Sequence, residues 1–170
     1  MAGNLELVKS ASGTSVSSLS VTDCFSADYD VYFVEVAKSL NSVEANLDIR
    51  FIDSGGSIIA DSEYDYATLQ LNSNTTFGER QSTGTTNISR LVVFGGDELK
   101  TGGTGYAYVF NPYDSSSYTF TQGASQSIQG TTFVGDKQIG IHKSAEQITG
   151  IALIPSGGTT TLTINVYGVK

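Results

Sequence analysis

The stretch Leu47-Asp48-Ile49-Arg50-Phe51, closed by Asp53-Ser54-Gly55-Gly56-Ser57, alternates apolar and charged residues and then breaks into a turn. A period of two places Leu47, Ile49 and Phe51 on one side of an extended chain, which is a half-buried strand and no helix. The same alternation recurs at Val31, Phe33 and Glu35-Val36. Further strands are expected at Ser17–Thr22, Tyr64–Leu71, Ser89–Phe94, Tyr106–Phe110, Ser117–Gln122, Thr131–Val134, Gln138–His142, Ile148–Ile154 and Thr160–Tyr167, most of them rich in β-branched or aromatic residues. Between them Gly95-Gly96-Asp97, Thr101-Gly102-Gly103, Asn111-Pro112-Tyr113-Asp114 and Pro155-Ser156-Gly157-Gly158 supply turn conformations. Many short strands with regular turns mean a sandwich or a barrel.

Composition agrees with that reading. The 170 residues, 39% hydrophobic, suit one compact domain. Ser and Thr number 22 and 19, about a quarter of the chain, which argues against a helical bundle. The net charge of −8 leaves no cationic surface to neutralise phosphates, so no nucleic-acid partner is expected. No run is apolar enough for a signal peptide or a membrane span, and assembly in a reducing cytosol is expected. The single cysteine, Cys24, reads as a small buried hydrophobe.

Two segments depart from the strand pattern. The first fifteen residues, where Leu5, Leu7 and Val8 alternate before Ser10-Ala11-Ser12-Gly13-Thr14-Ser15, read as an N-terminal arm (1–15) joined by a flexible linker to a sandwich domain (16–170). The arm docks elsewhere, as an added strand or on a partner, and residues 1–12 are expected to be removable without unfolding the domain. The run Asn72 to Asn87 reads as a long surface loop, with Phe77 either anchoring a neighbour or packing on its own sheet.

Chemistry-bearing residues are few. With one Cys and one His, neither Cys–His catalysis nor a closed zinc site can be assembled without carboxylate help, and His142 reads as structural or surface. No catalytic residue, metal or cofactor is expected. Asp61, Glu63 and Asp65 could surround a hard cation but read as a solvated strand face, relieved by Arg50, Arg80 or Arg90. Among nine tyrosines, Tyr64, Tyr66, Tyr106, Tyr108 and Tyr113 could stack on glycans or anchor an interface. Tyr106-Ala107-Tyr108 sets two rings on one face, covered by a second sheet in the simpler reading or by another subunit.

Three segments carry a resemblance: Cys24-Phe25-Ser26-Ala27-Asp28-Tyr29-Asp30-Val31-Tyr32-Phe33-Val34, then Val109-Phe110-Asn111-Pro112, then Ile148 to Ile154 with the closing Asn165-Val166-Tyr167-Gly168-Val169-Lys170. Together with Leu47-Asp48-Ile49-Arg50 they resemble a family of small tailed-bacteriophage virion proteins. The resemblance implies an all-β, antiparallel β-sandwich of jelly-roll type. It further implies a non-enzymatic capsid decoration or cement protein on the capsid exterior, made in the bacterial host cytoplasm. Its partners would be the major capsid protein and its own copies, as a homotrimer. Leu5, Leu7, Val8 and Phe77 are the segments' candidate contacts. A receptor-binding, glycan-binding head-fibre or tail-fibre domain is the alternative, and a bacterial carbohydrate-binding or adhesin module is a third class. No membrane partner is expected.

Overall fold

The computed structural model describes residues 4–74, 76–95 and 102–170. Among these there are twelve strands: β1 (Leu5–Val16), β2 (Leu19–Val21), β3 (Val31–Asn41), β4 (Glu44–Asp53), β5 (Tyr64–Asn72), β6 (Gly78–Thr85), β7 (Ile88–Gly95), β8 (Gly103–Phe110), β9 (Thr119–Gln129), β10 (Thr132–His142), β11 (Ile148–Pro155) and β12 (Thr160–Val169). They form two antiparallel sheets, an eight-stranded one in the order β1-β12-β3-β8-β9-β10-β5-β6 and a four-stranded one in the order β2-β11-β4-β7.

The connectivity identifies the sandwich. When the hairpins β5–β6 and β9–β10 are set aside, eight strands remain, and they pair in nested fashion: β1 with β12, β2 with β11, β3 with β8 and β4 with β7. That nesting, with the chain passing between the sheets at each step except the innermost pair β4–β7, is the jelly roll. The two hairpins are insertions. They add four strands to the β8 edge of one sheet and leave the other sheet at four.

Alternation explains the core. Tyr32, Val34 and Val36 of β3 are buried, as are Leu47, Ile49 and Phe51 of β4, Ile151 and Leu153 of β11, and Ile164 and Val166 of β12. The inserted strands face inward with a different chemistry. Thr68 and Gln70 of β5, Thr121 and Ser127 of β9, and Asp136 and Gln138 of β10 are buried polar residues. Arg90 of β7 reaches across to them, with Nε 3.2 Å from Asp136 Oδ2. Arg90 itself holds φ +73, and Asp48 Oδ1 accepts hydrogen bonds from its backbone N–H and from Ser89 Oγ. Burial raises the carboxyl pKa values of both Asp48 and Asp136, with Arg90 opposing the rise.

Several expectations need correction. Residues 5–16 form a strand that pairs with β12, the added-strand form of the expected arm, and Ser10–Ser15 is part of that strand rather than a flexible linker. Small residues disguise it, because an edge strand beside β12 needs only Ala11 and Val16 to pack inward. The expected loop Asn72–Asn87 contains β6, whose sequence Gly-Glu-Arg-Gln-Ser-Thr-Gly-Thr has no apolar residue to reveal a period and which pairs with β5 through its backbone. The expected strands Thr131–Val134 and Gln138–His142 fall in one strand, β10, apart from Thr131, which lies with Gly130 (φ +59) in the tight turn from β9. The stretch Gly95–Gly105 includes residues 96–101, which lie outside the described residues.

Candidate functional site: the outer face of the eight-stranded sheet

In β8 the inward positions Gly105, Ala107 and Val109 are buried, so Tyr106, Tyr108 and Phe110 stand on the opposite side, away from the second sheet. This overturns the simpler expectation that the second sheet covers Tyr106 and Tyr108. The register carries the same outer side across the whole sheet. Leu7 is level with Tyr167, Tyr167 with Phe33, Phe33 with Tyr108, Tyr108 with Gln122, Gln122 with Ile139, and Ile139 with Ala67. One row thus spans seven strands and is apolar or aromatic at every position except Gln122.

Its centre is aromatic. The Phe33 ring lies 5.2 Å from Tyr108, 5.5 Å from Tyr106 and 6.1 Å from Tyr167, centroid to centroid, and Tyr108 stacks on Phe110 at 6.3 Å. These are the separations at which ring pairs attract. Beyond Tyr108 the face hollows into two adjoining shallow grooves of about 780 and 880 Å³, which share Ala67, Gln81, Gln122 and Ile139. Leu69, Tyr106, Phe120 and Ile139 are exposed there.

A fixed polar strip borders the rings. Glu35 Oε2 accepts a hydrogen bond from Asn165 Nδ2 at 3.0 Å and from the Tyr167 hydroxyl at 3.4 Å, and Ser10 Oγ donates to Asn165 Oδ1 at 2.8 Å. Burial, and then the Glu35 carboxylate, raise the Tyr167 phenol pKa. Side chains on β1, β12 and β3 are therefore oriented before any ligand arrives. Flat rings beside positioned acceptors and donors suit adhesion to an apolar surface or to a sugar ring.

The sequence-derived residues divide. Leu5 and Leu7 are exposed at the β1 end of the face, level with Val169 and Tyr167, and Val8 sits at a register shift beside them. Phe77 is 62% exposed just before β6. Tyr106 and Tyr108 belong to the face, but Tyr64 does not. It is fully buried, its hydroxyl accepting from the Phe51 N–H and donating to the Ile59 carbonyl. Tyr66 packs against the core, and Tyr113 lies in the β8–β9 connection beside Ser26 and Asp30. Phe33, Tyr167, Phe110, Phe120, Ile139, Glu35 and Asn165 were missed, although the period-two pattern of β3 and β12 carried the signal for four of them.

The acidic trio does not converge. Asp65 pairs with Lys143 Nζ at 2.7 Å and accepts from the Gly84 N–H, which together hold its carboxyl below the usual range. Glu63 instead turns to His142, a residue with no surface exposure. For Asp65 the relief comes from Lys143 rather than from Arg50, Arg80 or Arg90. Cys24 is buried as expected, and burial pushes its thiol up to about 12.

No protein-family model matches the chain, and no curated protein matches it. Among solved structures it has distant likenesses to Ail, the attachment invasion locus protein of Yersinia pestis in complex with the heparin analogue sucrose octasulfate. That likeness has 9% identity, covers 66% of this chain and 96% of that one, and has a TM-score of 0.22. Congerin II with lactose and MES has 15% identity over 80% of this chain and 98% of the other, at a TM-score of 0.23. The apo Crh5 transglycosylase has 8% identity over 97% and 90%, at a TM-score of 0.17. Scores this low carry no argument for either fold or function.

Proposed function

We propose that this chain is a non-enzymatic structural protein of a tailed-phage virion, a decoration protein that binds the outer capsid surface and reinforces the shell. Its partners are the major capsid protein and its own copies, in a homotrimer, on the capsid exterior. The jelly roll hosts capsid and lectin domains alike, so the fold supports the class without choosing within it. The observation that carries the reading is the apolar row from Leu7 through Tyr167, Phe33, Tyr108 and Ile139 to Ala67. Neither sheet of the fold covers it. In a chain of charge −8, such a face favours contact with another protein surface.

A second reading, a glycan-binding domain of a head or tail fibre, is favoured by one feature: Glu35 and Asn165 are held in place beside the rings of Phe33, Tyr106 and Tyr167. The location of the protein in the particle separates the two. Copies spread over the capsid lattice support decoration. A few copies at a vertex or tail, with glycan-array binding lost in Tyr106→Ala and Tyr108→Ala, support the fibre reading and overturn the first.

A further inference from the structure

His142 closes β10, opposite Tyr64 at the start of β5. Its imidazole is completely buried, edged against Phe51 at 6.1 Å and tilted over Tyr64 at 4.8 Å. A ring in such a setting needs its nitrogens satisfied, because a buried polar atom without a partner has given up its hydration for nothing in return. Yet neither Nδ1 nor Nε2 has a hydrogen-bond partner. What faces Nε2 is a pair of carboxylates, Glu63 Oε2 at 3.2 Å and Glu146 Oε1 at 3.7 Å. All three ligand atoms lie within 4.8 Å of one another.

These oxygens are close to the nitrogen without being bonded to it, the relation that ligand atoms have when they share an ion. With metal–ligand distances of about 2.0–2.2 Å, neighbouring donors around a tetrahedral centre sit about 3.3–3.6 Å apart, near the two nitrogen–oxygen separations seen here, and the two carboxylate oxygens lie within 4.8 Å of each other. The charges balance as well, since two carboxylates and a neutral imidazole match a divalent cation.

We propose that Glu63, His142 and Glu146 form a divalent transition-metal site, suited to Zn²⁺, that ties the β10–β11 crossover to the entry of β5. The imidazole selects the metal class: Ca²⁺ and Mg²⁺ take all-oxygen shells, whereas Zn²⁺ and its neighbours accept nitrogen with carboxylate. Glu63 and Glu146 are partly exposed, leaving water to complete the shell. The ion joins two stretches that the sequence separates by 79 positions, residue 63 before β5 and the end of β10 with the connection that follows it, which passes from one sheet to the other. Its role is structural. The site is independent of the outer face and of the function proposed for it.

The test uses the untagged full-length chain, stripped with chelator and titrated with ZnCl₂ by calorimetry, and with CoCl₂ read by visible absorption. The expected result is one equivalent bound, a raised thermal midpoint, and cobalt bands of a nitrogen–oxygen site. Glu146→Gln, on the partly exposed connection, should fold and bind at least about tenfold more weakly. His142→Gln should lose the cobalt spectrum, and circular dichroism of each variant separates lost binding from lost folding. Absence of saturable binding by the wild-type chain overturns the proposal. So does unchanged affinity in folded Glu63→Gln and Glu146→Gln, or binding of Mg²⁺ as tight as that of Zn²⁺.

Discussion

Phe33 of β3 and Tyr108 of β8 face each other across one antiparallel pair, ring centroids 5.2 Å apart, on the side of the sheet turned away from the core. One residue before Phe33, Tyr32 points the other way, fully buried, its hydroxyl donating to the Ser26 carbonyl and accepting from the Ser26 N–H. The two sides of the same strand should therefore respond differently to truncation. Tyr108→Ala removes a cross-strand pair from a face open to water and should cost about 1 kcal/mol. Tyr32→Ala opens a cavity and strands two backbone groups, and should cost about 3–5 kcal/mol. Urea denaturation midpoints of the two variants check the contrast, and equal losses would mean that the outer rings are core.

Removing residues 1–12 takes away most of β1, the strand that pairs with the last one in the nested order. Its inward contribution is small, Ala11 and Val16 being the apolar residues it sets against the core. The loss should be about 2–4 kcal/mol, because each ladder hydrogen bond contributes little net of the entropy of ordering the strand. The truncated chain also exposes the β12 edge and should associate at high concentration. Denaturation and sedimentation measure both effects. A truncated chain as stable and as soluble as the full one would return β1 to the status of a dispensable arm.

The nested sandwich was readable where side chains alternate, in β3, β4, β8 and β12, because each strand there has a wet side and a dry side. It was unreadable in β1 and β6, where Ser, Gly and Thr fit either environment and the backbone alone does the pairing. In β10 the inward residues Asp136 and Gln138 are buried but polar, so the pattern of hydrophobicity reports a turn where a strand continues. Tyr106 and Tyr108 were found because their spacing puts them on one side. The composition of the whole face depends on register between strands far apart in sequence, such as Leu7 with Tyr167. His142 with Glu63 and Glu146 belongs to the same kind: Glu63 comes from a segment 79 positions before His142, and no local spacing announces it.

The buried pair of Arg90 and Asp136 should leave a mark on the pH dependence of stability. Burial holds the Asp136 carboxyl above its ordinary value, and Arg90 only partly offsets this. Between the unfolded-chain pKa, about 3.9, and the raised value in the fold, the native protein binds a proton that the unfolded chain has released. This group's contribution therefore falls as pH rises through that interval and is relieved below it. Asp136→Asn should flatten that part of the profile. The same variant should lower stability at pH 7, since Arg90 loses its counter-charge in a buried site. Urea midpoints of both proteins from acid to neutral pH test this, and parallel profiles would contradict it.

Under the proposed function, the outer face of the eight-stranded sheet is the attachment surface for the capsid. Bare capsids lacking this protein, incubated with the wild-type chain and with a Tyr108→Lys, Ile139→Lys double variant, measure it most directly through the number of copies that co-sediment. Both positions are on the outer side, so the variant should keep a wild-type circular dichroism spectrum. Two buried-on-contact charges in the middle of the row should weaken affinity at least about a hundredfold, at about 1.4 kcal/mol per factor of ten. Saturation of the capsids by a folded double variant, at the same concentration as the wild type, would contradict the account.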